Sequence, residues 1–187
     1  PFPDSFYGPA IYNPVDVEIF TPDGGYSSHG PSPHVAIVSW SDNPTKGLRV
    51  YRDIIQAHRN VSFINCGRLL IGNAPNLYNL GAVPHGQLPS LLRGCDVLLT
   101  ASQHEACPNH VLEAMACGLP VLYLDSGATG EIVGEAGLAV TEDSFVESLR
   151  LLMSLRSWRR VPRIRAMRFA PDVIFPQYLD AIRRAMR

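Results

Sequence analysis

Two carboxylates eight positions apart, Glu105 and Glu113, flank Pro108 in the run SQHEACPNHVLEAMACG, residues 102–118. Pro108 suits the first turn of a helix and Gly118 the position just past its end, so the spacing predicts a helix over Asn109–Cys117, with Glu105 in the preceding loop. The first amides of a helix lack intrahelical partners and carry the positive end of the macrodipole. The backbone around Cys107 to Val111 can therefore receive a diphosphate without a basic side chain. Glu113 stands about 6 Å of helix rise beyond Asn109, where a carboxylate can accept bonds from both hydroxyls of a ribose. A ligand running ribose, diphosphate, sugar would meet Glu113, then the helix end, then Glu105. The spacing alone leaves a plainer reading open: an acid in a first helical turn suits the dipole, and a loop glutamate can simply be solvated.

The surrounding pattern is one of alternating strands and helices. Short apolar runs predict strands at Val35–Trp40, Val61–Cys66, Leu77–Gly81, Asp96–Thr100, Pro120–Leu124 and Leu138–Val140. Helical patterns lie between or after them, at Gly47–His58, Leu88–Gly94, Asn109–Cys117, Thr129–Glu135 and Asp143–Leu155. This alternation predicts an α/β fold with a doubly wound parallel sheet and ligands at the carboxyl ends of its strands. Those ends are where Ser41, Lys46, Glu105 and Asn109 fall. The Pro- and Gly-rich stretch Thr21–Pro33 reads as surface loop.

The segment around the two glutamates resembles the signature of the retaining nucleotide-sugar glycosyltransferases of family 4, enzymes of two-domain GT-B architecture. The match runs through Ser102, Glu105, Pro108, Glu113, Ala114, Met115, Ala116, Cys117, Gly118, Pro120 and Val121, with Ala106 where the family usually has Gly. Asn13, Val15, Asp16, Phe20 and Pro22 resemble the motif that opens the second domain of such enzymes, with Pro14 in place of its usual Gly. VAIVSWSDNPTKGLRVY resembles the first strand, phosphate loop and helix start, and GAVPHGQLPSLLRGCDVLLTAS the segment that passes the nucleobase. The likeness covers nearly all of the chain.

The resemblance implies a Rossmann-like sheet forming one half of a GT-B architecture. It implies a single donor-binding domain over residues 1–187, with an N-terminal linker (about 1–33) and an Arg-rich helical tail (about 156–187). The acceptor domain would be absent from this chain, which starts at Pro1 and reads as an excised or processed fragment. Lys46, the sole lysine beside 15 arginines, would bind the diphosphate, and with Glu105 it would carry the catalytic role. Donor-binding positions would be Ser41, Lys46, Glu105, Ala106, Cys107, Pro108, Asn109, His110 and Glu113, with Val83 and Pro84 near the nucleobase. Ser41 occupies the place of a usual phosphate-directed Arg and supplies a hydrogen bond without charge. The implied reaction moves a sugar from a UDP- or GDP-type donor to an acceptor hydroxyl with retention, with no cofactor and no protein-bound metal. A nucleotide-sugar epimerase of the same architecture, or a non-catalytic domain binding nucleotide sugar or a partner protein, are the alternatives. The fragment alone is expected to bind donor weakly and to transfer little or nothing.

Composition is that of an ordinary globular domain: 187 residues, 46% hydrophobic and 18% charged, enough to build a core. No apolar run is long enough to span a membrane, and no secretory signal pattern is present. His104, Cys107 and His110 stand three apart, but neither HExxH nor CxxC is formed, so no metal site is expected. Cys66, Cys95 and Cys117 read as buried free thiols, which fits a cytoplasmic setting. From Arg150 to Arg187 there are ten Arg against Asp172 and Asp180, about +8, while the remainder carries about −9. A solvated helical face, or a return toward the missing N-terminal domain, explains that tail first. An anionic membrane surface comes second, as a peripheral contact, and nucleic acid is not an expected partner. Pro162, Pro171 and Pro176 are expected to break the tail into pieces.

Overall fold

The computed structural model describes residues 10–154 and 159–186. Six strands, β1 (His34–Ser39), β2 (Ser62–Gly67), β3 (Leu77–Gly81), β4 (Val97–Thr100), β5 (Val121–Tyr123) and β6 (Gly137–Ala139), form one parallel sheet. Their order is β3-β2-β1-β4-β5-β6. Starting at β1 the chain winds outward to β3, then returns to lay β4 on the other side of β1, with Val35 opposite Val97 and Ala36 opposite Leu98. That reversal opens a crevice at the carboxyl ends of β1 and β4, the place where doubly wound sheets bind ligands.

The strands form because their residues must be buried on both faces. β2, β4 and β5 are buried throughout, as a parallel sheet covered by helices requires. Alternate side chains feed two cores. Ala36, Val38, Ile64, Leu98 and Val121 face one side, and Val35, Ile37, Phe63, Val97, Leu99 and Leu122 the other. The second side is covered by α1 (Leu48–Ala57), which buries Tyr51, Ile54 and Ile55, and by α5 (Phe145–Ser154), which buries Phe145, Leu149 and Leu152. The first side carries α2 (Leu88–Arg93), α3 (Asn109–Ala116), α4 (Thr129–Val133) and α6 (Arg160–Ala166). α3 is buried almost all round, through Val111, Leu112, Ala114, Met115 and Ala116, and its small residues let it pack against both the sheet and α6. After α6 a short turn leads to α7 (Pro171–Ala185), which is largely exposed.

The expected strands and helices are present, with shifts at their ends. Asp96 lies just before β4, where its carboxylate accepts from the His34 amide at 2.8 Å and its own amide donates to the His34 carbonyl at 2.8 Å. α4 ends at Val133 and passes into a tight turn over Gly134–Ala136. The expected end of the fifth helix at Leu155 lies outside the described residues. Thr21–Pro33 runs over the surface. Within residues 10–20 the chain is packed onto the domain: Val15, Val17 and Phe20 are buried, and the Val15 amide donates to the Phe169 carbonyl at 2.8 Å.

The tail corrects two expectations. Pro171 does begin a new helix, but Pro162 sits inside the first turn of α6, and Pro176 lies within α7 without breaking it. The hydrogen bond that Pro176 forgoes is on an exposed part of the helix, where water can serve the freed carbonyl. The charge is also not simply a solvated face. Arg163 donates to the carbonyls of Phe20 at 2.7 Å and of Ala116 and Val17 at 3.0 Å, Arg165 to Ile132 at 2.9 Å, and Arg159 to Cys95 at 2.9 Å. Among the described residues no helix is long and apolar enough to cross a membrane.

Candidate functional site

A cleft of about 330 Å³ opens at the β1/β4 crevice, lined by Ser39, Trp40, Ser41, Lys46, Glu105, Cys107, Pro108, Asn109, His110 and Glu113. Two loops and one helix build it. After β1 the chain makes a tight turn over Pro44–Lys46, capped by the Asn43 side chain, which accepts from the Thr45 amide at 3.1 Å. Gly47 follows at φ 75°, and a Cβ there would lie 2.2 Å from the Ala101 carbonyl oxygen. Only glycine permits this turn to lie against the end of β4. The Gln103 amide then donates to the Thr45 carbonyl at 2.7 Å, tying the lysine turn to the glutamate loop.

The glutamate loop is also held from its other side. The Ala128 amide donates to the Glu105 carbonyl at 2.8 Å, and the His104 amide to Ser126 Oγ at 3.0 Å. Gly127, at φ 63°, makes the approach possible, since a Cβ there would lie 2.6 Å from the Glu105 carbonyl oxygen. The Glu105 side chain pairs with Lys46, Oε1 accepting from Nζ, and both side chains are 22% exposed. Glu113 projects one turn into α3 with its side chain 15% exposed, and its Oε1 lies 3.6 Å from His85 Nε2. Burial raises the Glu113 carboxyl above its ordinary value, and the His85 ring acts in the opposite direction.

The helix end itself is open. Pro108, at the N-cap, offers no capping side chain, and the amides of Asn109 and His110 have no backbone acceptor, whereas Val111 already donates to the Pro108 carbonyl at 3.0 Å. Asn109 is oriented by Asn13, whose Nδ2 donates to Asn109 Oδ1 at 2.8 Å. His110 Nε2 lies 3.0 Å from Thr100 Oγ1, and desolvation lowers its pKa to about 4, so the ring is neutral at pH 7. Burial pushes the Cys107 thiol up, against the Asn13 amide that donates to its sulfur, so Cys107 is no thiolate nucleophile. Ser41 Oγ accepts from the Asn43 amide at 3.1 Å, which leaves its own proton free to donate.

The structure thus brings together Ser41, Lys46, Glu105, Cys107, Pro108, Asn109, His110 and Glu113. Ala106 is exposed beside the cleft and does not line it, and Val83 and Pro84 also lie outside the lining, just before His85. Among the described residues no arginine lines the cleft, so no guanidinium stands in for the charge missing at Ser41. The sequence reading missed Ser39 and Trp40 as lining residues, His85 as the partner of Glu113, and the Ser126–Ala128 clamp. Their signals were slight: a tryptophan in the loop after β1, a histidine beside the nucleobase pair, and turn residues after the neighbouring strand β5. Among the described residues no three His, Cys, Asp or Glu side chains gather as a metal set, and Cys117 is buried with its thiol pushed up to about 12.

The parallel sheet with its cleft at the point where strand order reverses defines a Rossmann-like α/β domain of the GT-B kind. Within that class the chain belongs to the family described as glycosyl transferases group 1, whose model matches residues 37–154. O-antigen chain mannosyltransferase B of Escherichia coli is 36% identical over 91 residues, which are 47% of this chain and 24% of that protein. Among solved structures, a glycosyltransferase from Rickettsia africae aligns with a TM-score of 0.79 at 13% identity, over 95% of this chain and 57% of the other. Anabaena HepE, crystallised with UDP and glucose, aligns with a TM-score of 0.74 at 20% identity, over 92% of this chain and 55% of the other. The chain therefore spans about a quarter of that mannosyltransferase and a little over half of each solved chain.

Proposed function

We propose that this chain is the nucleotide-sugar-binding half of a retaining glycosyltransferase that moves a sugar from a nucleoside diphosphate to an acceptor hydroxyl, in polysaccharide or glycoconjugate synthesis. The observation that carries the proposal is the convergence of Lys46, the free amides of Asn109 and His110, Glu105 and Glu113 in one cleft at the β1/β4 crevice. Support also comes from the solved HepE structure, which shares the fold and holds UDP and glucose.

In this reading the diphosphate lies between Lys46 and the start of α3. Glu113 holds the ribose hydroxyls, and Glu105 faces the sugar. The bond from the anomeric carbon to the phosphate oxygen breaks, the bond to the acceptor oxygen forms on the same face, and the acceptor proton passes to the departing phosphate. Lys46 and the two amides stabilise the charge that grows on that phosphate, and Glu105 the positive charge on the sugar. Neutral His110 adds no charge, and Ser41 contributes one neutral donor, so the site holds its diphosphate through one ammonium and a helix end. Binding by this chain alone is correspondingly weak, and transfer requires the acceptor-binding half. No cofactor or protein-bound metal takes part. A cytoplasmic setting, with the exposed arginines Arg160, Arg168 and Arg183 turned toward an anionic membrane surface, belongs to the same proposal.

Calorimetric titration of the chain with UDP, GDP, ADP and dTDP tests the reading. One nucleotide binds, and Lys46→Ala and Glu113→Gln each weaken it about tenfold, a loss of about 1.4 kcal/mol. Failure of all four to bind would overturn the proposal for this chain.

A further inference from the structure

In the cleft, the ammonium that a diphosphate needs is already paired with a carboxylate. Lys46 Nζ donates to Glu105 Oε1. The contact is not a chance meeting of two flexible surface side chains. Both are 22% exposed, and the loops that carry them are fixed to each other by the bond from the Gln103 amide to the Thr45 carbonyl. The Glu105 backbone is pinned again by the Ala128 amide. No arginine among the described residues lines the cleft, and His110 is neutral, so Lys46 is the only cationic side chain along that wall. A phosphate and the Glu105 carboxylate therefore compete for one cation.

We infer that Glu105 acts as an internal competitor of the donor's diphosphate and that this competition makes the site select the intact nucleotide sugar over the nucleoside diphosphate left after transfer. The inference rests on the donor-site reading. When a diphosphate takes Lys46, the Glu105 carboxylate loses its partner and is left half-buried beside a like charge, where burial makes that state costly. A sugar attached to the diphosphate brings hydroxyls that donate to the displaced carboxylate and remove the cost. A nucleoside diphosphate without its sugar brings none, so Glu105 returns to Lys46 and drives the product out. The residue thus sets which ligand the cleft prefers as well as orienting the sugar. An ammonium is suited to this exchange, since its compact charge can be handed from carboxylate to phosphate without the fixed fork that a guanidinium would impose.

The test uses inorganic pyrophosphate, UDP, GDP, UDP-glucose and GDP-mannose as probes, titrated into the chain and into Glu105→Gln and Glu105→Ala. Removal of the competing carboxylate tightens pyrophosphate and the preferred nucleoside diphosphate about tenfold in both variants, leaves the matching nucleotide sugar no tighter, and the gain shrinks when Lys46→Ala is added. Two variants guard against a folding defect peculiar to one of them, and thermal melting identifies it. If wild type binds a nucleoside diphosphate and the folded variants bind it equally or more weakly, the competition does not exist, while the donor-site reading survives. If neither wild type nor either variant binds any probe, the donor-site reading falls and this inference with it.

Discussion

The two ends of α3 are finished in opposite ways. The carboxyl end is closed: the Leu119 amide donates to Ala114 and the Gly118 amide to Met115, both at 2.9 Å, in a Schellman closure with Gly118 at φ 82°. Arg163 then reaches from α6 to the Ala116 carbonyl, at 3.0 Å. At its amino end Pro108 caps nothing, and the amides of Asn109 and His110 are left open toward the cleft. One end serves stability, and the other forgoes it to keep donors available for an anion. A cation borrowed from a distant part of the chain marks each end, but Arg163 is spent on carbonyls while Lys46 is held by a carboxylate that can let it go.

The largest break in this contrast comes at the closed end. Arg163→Ala removes bonds to three carbonyls at the seam of α3, α6 and the N-terminal segment, and is expected to cost about 3 kcal/mol in denaturant unfolding. Nucleotide affinity measured well below the melting temperature stays within about twofold of wild type. At the open end, Pro108→Asp supplies the missing cap. Its carboxylate occupies the free amides and opposes a phosphate, so nucleotide affinity falls about tenfold while the helix end gains up to about 1 kcal/mol against the loss of a buried proline. Calorimetry and unfolding on the same sample separate the two effects.

The smallest effect expected is on pH dependence. His110 has its folded pKa lowered to about 4, so between that value and the ordinary 6.5 the unfolded chain binds more protons. The stability this group contributes is complete above about pH 6.5, declines as pH falls toward 4, and changes no further below it. The residue as a whole is partly exposed at the rim of the cleft, so the loss is taken as the smallest of the three. Melting temperatures of wild type and His110→Gln, followed from pH 7 to 4, are expected to converge from the wild-type side.

Most of the sheet was legible in the sequence because a parallel strand must be apolar on both faces, and β1, β4 and β5 show this as nearly unbroken runs, while β2 is interrupted by the buried Asn65. α3 was legible because Pro108 and Gly118 mark both of its ends. Contacts between distant segments were not. Nothing in the spacing of Arg163 tells that its donors end on carbonyls of the N-terminal segment, so a tail rich in charge reads as a face in water. The burial of Val15, Val17 and Phe20 escaped for the same reason, since a Pro-rich stretch with scattered apolar residues has neither strand nor helix period. The pairing of His85 with Glu113 depends on how α2 and α3 are laid side by side, which local pattern does not encode. Pro176 misled because the rule that proline breaks helices weakens where the freed carbonyl faces water.

The bond from the Gln103 amide to the Thr45 carbonyl bears on the order in which the molecule assembles. Lys46 follows β1, in the first half of the chain, and Glu105 follows β4, in the second. Neither half contains a site. The cleft exists only after β1 has found β4, a pairing of residues as distant as Val35 and Val97 and therefore slow compared with the local hairpin-free windings on either side. In a chain emerging from synthesis or returning from denaturant, the capacity to bind is therefore expected to appear only after that long-range pairing, which refolding followed by nucleotide binding would show.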